Sequence, residues 1–77
     1  MIVNITEIKK EIIRKKEGFE KENKINPKNI YFHRDFMAIF LMILTSEIGS
    51  KAKETKSILG MEIHTVDNLR YDFVVGE

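Results

Sequence analysis

Cysteine is absent, proline occurs once at Pro27, and only four of the 77 residues are glycine. Without cysteine there is no disulfide and no thiolate to hold zinc or an iron–sulfur cluster. The glycines form no dinucleotide fingerprint, phosphate-cradling loop or Gly-x-Ser-x-Gly elbow, so the common scaffolds for nucleotide and acyl chemistry are missing. Histidine is almost as scarce, with His33 and His64 alone. A zinc site would need carboxylates such as Asp35 or Asp67 to bring the ligands to about four, and no spacing forces those groups together. Long apolar runs are lacking too. The longest, Phe36 to Leu44, is nine residues, about half of what a membrane-spanning helix requires. These absences lead to the expectation of no cofactor, no metal, no small-molecule substrate, no membrane span and no enzymatic activity.

What remains has an ordinary globular composition, 43% hydrophobic and 32% charged, which predicts a folded chain with room for one core and one domain, residues 1–77. A core of this size typically leaves a net stability of about 3–5 kcal/mol, and small chains often add a disulfide, a metal or a partner. With disulfides excluded, association with a partner or a second copy is the expected reinforcement. The absence of cysteine, and of a basic-then-apolar leader near Met1, leads to the expectation of a soluble, cytoplasmic protein. Net charge is +1, yet residues 1–28 hold eight Lys/Arg against five Glu, whereas residues 60–77 hold only Arg70 against Glu62, Asp67, Asp72 and Glu77. A basic front and an acidic tail bear on partner choice rather than on fold.

Periodicity predicts an N-terminal amphipathic helix within residues 1–25. Asn4 is placed to cap it with Glu7 completing a capping box, and Val3 and Ile8 occupy the positions of a hydrophobic staple. Ile5, Ile8, Ile12 and Phe19 recur at helical spacing, while Glu11/Lys15, Glu17/Lys21 and Glu20/Lys24 are pairs four apart on the solvent side. Gly18 costs about 1 kcal/mol against Ala, so the helix is expected to loosen after Lys16 and fray by Asn23. Asn26-Pro27-Lys28-Asn29 redirects the chain, and Ile30-Tyr31-Phe32 reads as a buried strand. His33-Arg34-Asp35 then opens a second helix, with His33 or Asp35 as cap. From Phe36 to Leu44 that helix is apolar on every side, which predicts burial on every side, and Gly49 should end it. Residues 50–57 read as loop or weak helical turn. Met61 to Val66 alternates as a half-buried strand, Asp67-Asn68 turns, and Tyr71 to Val75 returns as a second strand. The predicted fold is α+β, helix-strand-helix-strand-strand, with residues 26–77 forming a strand-helix-hairpin unit whose short sheet packs on two helices.

Each candidate site has a plainer reading beside it. His33-Arg34-Asp35 matches the start of the protein-kinase catalytic loop, but that motif needs an Asn five residues after the Asp; Phe40 stands there, and a helix start is the better reading. His64 shares the polar side of its strand with Glu62 and reads as a solvated histidine. Lys9, Lys10, Arg14, Lys15, Lys16 and Lys21 are candidate phosphate contacts for nucleic acid, although interleaved glutamates are the habit of a solvated face and no aromatic platform lies among them. The second helix is core in its plainer reading. However, a single sheet face and one amphipathic helix leave a third side uncovered, and Met37, Phe40, Met42 and Leu44 are the candidates for a protein-interaction surface there.

The succession Asn26-Pro27-Lys28-Asn29-Ile30-Tyr31-Phe32, helix, Leu59-Gly60-Met61-Glu62-Ile63, Asp67-Asn68-Leu69 and Phe73-Val74-Val75-Gly76 resembles a strand-helix-strand-strand unit of tailed-phage major capsid proteins, also found in small phage proteins. It spans residues 26–76 and leaves the first helix outside. The chain lacks the long spine helix and extended loop of a capsid protein, so the shell function does not carry over. The resemblance implies a phage or prophage setting and a non-enzymatic role, such as an inhibitor of a host factor or an accessory assembly protein that binds another protein or itself. A nucleic-acid binder using the basic helix is the alternative, and a virion decoration or head-completion component the third.

Overall fold

Local signals at both ends of the first helix decide its extent. In a computed structural model that describes residues 4–77, α1 runs Ile5–Asn23. The Asn4 side-chain oxygen accepts the Glu7 N–H at 2.9 Å, satisfying one of the free donors of the first turn. The staple partner Val3 lies outside the described residues. The helix continues through Gly18 without the expected loosening after Lys16 and ends at Asn23. The last turn holds because Lys24 adopts a left-handed φ of 58° and its N–H reaches the Glu20 carbonyl, while the Asn23 amide donates to the Phe19 carbonyl at 3.0 Å.

Pro27 is buried at the redirection, and β1 follows as Asn29–His33. His33 caps the second helix, α2, Arg34–Ile48: its Nδ1 accepts the Asp35 N–H at 3.1 Å. The tripeptide that resembles a kinase motif is therefore a strand end and a helix start. Gly49, with φ 73°, ends α2. Residues Gly49–Glu54 form a 3₁₀ helix, and its Ala52 is fully buried. That one apolar anchor in a polar, lysine-rich stretch is why composition alone reads as loop.

Three further strands complete the sheet: β2, Ser57–Ile58; β3, Met61–Val66; and β4, Phe73–Gly76. Strands β2 and β3 form a hairpin through Leu59-Gly60, whose φ values of 50° and 80° are those of a type I′ turn. Leucine in that conformation is unusual, and this is why the two-residue β2 escapes the sequence reading. The strand order is β2-β3-β1-β4. The expected hairpin between residues 61–66 and the C-terminal strand is thus overturned. β1 lies between them, parallel to β3 and antiparallel to β4, because six residues after Val66 give enough chain to cross to the other side of the central strand.

Pleating sends Ile30 and Phe32 of β1 toward the helices, and both are fully buried. They meet Ile5, Ile8 and Ile12 from α1, Phe40 and Leu44 from α2, Ile58 and Met61. Phe32 is the hub, with ring centroids of Phe36, Phe40 and Phe73 at 5.3, 5.1 and 6.1 Å, the edge-to-face range that adds to simple burial. α1 lies against both α2 and β4. No helix among the described residues is long and apolar enough to cross a membrane.

Candidate interaction surfaces

The apolar run of α2 does not end up buried all round. Phe40 and Leu44 point into the core at 1% and 8% exposure, which removes them from the candidate interaction surface. Met37 is half-buried and packs against the core. Of the four candidates only Met42, 67% exposed, faces solvent, and it is joined by Ile39 at 46%, a residue the sequence reading did not select. Burial of α2 follows the sheet side of the helix, which Phe40 and Leu44 occupy four residues apart, whereas Ile39 and Met42, three apart, share the far side with Ala38 and Thr45.

The six basic candidates of α1 are not gathered on one face. Arg14 pairs with Glu11 at 2.7 Å and Lys16 with Glu20 at 3.2 Å. Lys9 borders a depression of about 260 Å³ with Phe40, Leu44 and Ile48, whereas Arg14 and Lys15 border a groove on the opposite flank of the helix, along β4. Lys10 and Lys21 are exposed. A phosphate backbone lying along one side of α1 would meet some of these cations and miss others.

The groove along β4 has a volume of about 630 Å³, with Arg14, Gly18, Phe19 and Glu22 on its helical wall and Phe73 and Val75 on its strand wall. Phe19, which continues the helical spacing of Ile5, Ile8 and Ile12, is half-buried here rather than in the core cluster. A Cβ added at Gly18 would meet nothing within 4 Å, so the glycine answers no crowding within the chain.

On the sheet face away from the helices, His64 is not a freely solvated histidine. Its ring stacks on Tyr31 with centroids 5.1 Å apart and planes at 22°. Its Nε2 lies 2.8 Å from the Asn29 side-chain oxygen, to which the Nε2–H form donates. His33 spends its Nδ1 on the α2 cap. With both rings engaged locally, no group of three or more His, Asp or Glu side chains among the described residues is placed to hold a metal ion. Arg34 lies 3.8 Å from Asp67 and 3.9 Å from Asp35, all well exposed, so these contacts are largely screened.

No protein-family model, curated protein or solved structure matches the chain.

Proposed function

We propose that this chain is a small, non-enzymatic binding module of phage or prophage type, which docks the outer face of α2 into an apolar groove of a partner protein. The observation that carries the reading is the exposure of Ile39 and Met42 on a helix with no charged side chain between Phe36 and Leu44. A domain this short of core gains from burying every large apolar residue it has, at about 25 cal/mol per Å². Leaving these two, and Ile48 beyond them, in water on α2 makes sense where a partner covers them. Helix-in-groove recognition uses such anchors at three- and four-residue spacing, and a methionine adapts its shape to the surface it meets. The phage setting rests on the resemblance of residues 26–76 and on nothing further.

A photo-crosslinking residue placed at position 42 tests the reading in cells that express the chain. One discrete crosslinked species is expected, present with the probe at Met42, absent with the probe at Lys10, and lost when Ile39→Asp is added. Equal labelling from both positions would remove the α2 face from consideration.

A further inference from the structure

We propose that two copies of this chain join edge to edge through β4, antiparallel across a two-fold axis, with their α1 helices crossing beside Gly18. The surface is distinct from the α2 face, and the proposal does not rest on that reading.

Strand β4 closes one edge of the sheet. The Asp72 carbonyl accepts the His33 N–H at 2.8 Å, and Phe32↔Phe73, Tyr31↔Val74 and Ile30↔Val75 are the facing pairs. In an antiparallel ladder the hydrogen-bonded pairs alternate. Asp72, Val74 and Gly76 therefore face β1, and the N–H and C=O groups of Phe73 and Val75 point outward. The opposite edge is protected by brevity, since β2 has two residues and Lys56 precedes it. β4 has none of the usual protection: it reads Phe-Val-Val-Gly, with no proline, lysine or other charge. Such an edge invites another strand.

A second copy fits this edge because the groove beside it is self-complementary under a two-fold rotation. An axis at Val74 sets Phe73 of one copy opposite Val75 of the other, so the four outward groups of each strand find partners. Gly18 and Val74 border the same groove, so one axis serves both strand and helix. Rotation about Gly18 brings Arg14 level with Glu22 of the other copy, since each lies four residues from the glycine, and both border the groove. Arg14 gives up little to form that pair: its contact with Glu11 joins two side chains 71% and 54% exposed, and such pairs are weak. The same rotation sets Lys15 level with Lys21 of the other copy, but Lys21 does not border the groove. Gly18, with open space where a side chain would stand, lets the two helices approach closely.

Sedimentation of the full chain from about 1 µM to 1 mM, the span of single-interface affinities of modest strength, should show a reversible monomer–dimer equilibrium. Val75→Pro removes an outward N–H that β1 does not use, which an edge strand tolerates, and should leave a folded monomer. Arg14→Glu should weaken the dimer by a factor of about 10 to 100 through like-charge contact with Glu22, and adding Glu22→Arg should restore it. Gly18→Gln should raise the melting temperature of the monomer by about 4–8 °C while weakening association. If Val75→Pro does not fold, the charge exchange decides alone. A wild-type chain that stays monomeric throughout the range overturns the proposal. So does a dimer that ignores the charge exchange, or one that Met42→Asp abolishes while the β4 variants leave it intact.

Discussion

Helix α1 buries three isoleucines and sets one large apolar side chain, Ile13 at 40% exposure, among its charges, whereas α2 buries Phe40 and Leu44 and leaves Ile39, Met42 and Ile48 in solvent. The difference lies in what holds each helix. α1 carries its own support: an Asn4 cap, a left-handed C-terminus at Lys24, and intrahelical pairs between Glu11 and Arg14 and between Lys16 and Glu20. α2 has a cap from His33 and then an unbroken apolar run, so packing against Phe32 and the sheet does most of the work. A helix stabilised by packing needs only the residues on its packed side to be apolar. The apolar residues on the other side of α2 therefore ask for a separate explanation, which the proposed partner would supply.

Substitutions on the packed sides should have the largest effects. Ile12→Asp places a carboxylate at a position with no solvent exposure. Without a partner it costs several kcal/mol, comparable to the whole stability of about 3–5 kcal/mol available to a core of this size. Circular dichroism should show an unfolded chain; a wild-type melt would contradict the assigned core face of α1. Phe40→Ala removes the buried one of the two α2 rings that meet Phe32 and should cost about 3–5 kcal/mol, read as a lost or strongly lowered urea midpoint. Were Phe40→Ala mild and Ile12→Asp severe, α2 would be the less essential of the two helices and the comparison would reverse.

The cap separates the helices more finely. Asn4→Ala removes the acceptor for the Glu7 N–H and should cost about 1 kcal/mol, lowering the melting temperature by about 4–8 °C in a domain of this size. Hydrogen exchange should locate the loosening in the first turn of α1 and leave α2 protected. Uniform loss of protection would mean that α1 depends on α2 more than its local signals indicate.

These contrasts also show what could be read without coordinates. α1 was legible because its cap and isoleucine stripe are local signals, although its charges pair otherwise than expected, Glu11 with Arg14 and Glu20 with Lys16 in place of Lys15 and Lys24. The α+β class, the β1 and β3 strands, the start of α2 and its stop at Gly49 were legible for the same reason. The hairpin was misread because pairing partners are a property of the sheet: the turn chemistry of Asp67-Asn68 does not reveal that β1 takes the place between β3 and β4. β2 was missed because its turn places Leu59 where asparagine or glycine is usual. For the proposed interaction surface, composition pointed to α2 and named Met37, Phe40, Met42 and Leu44 while passing over Ile39, since an all-apolar run carries no phase of its own. The groove along β4 was invisible, because it joins residues more than fifty positions apart.

The smallest expected change in stability belongs to the residue at the centre of the proposed docking face. Met42→Asp, made on a side chain 67% exposed, should shift stability by no more than about 0.5 kcal/mol. A thermal melt paired with crosslinking from position 39 separates binding from folding at this face. The melting temperature should stay within about 4 °C of wild type while the crosslinked partner is lost. A melt lowered as far as that of Phe40→Ala, or a partner still captured at full yield, would show that the outer face of α2 is not where this protein binds.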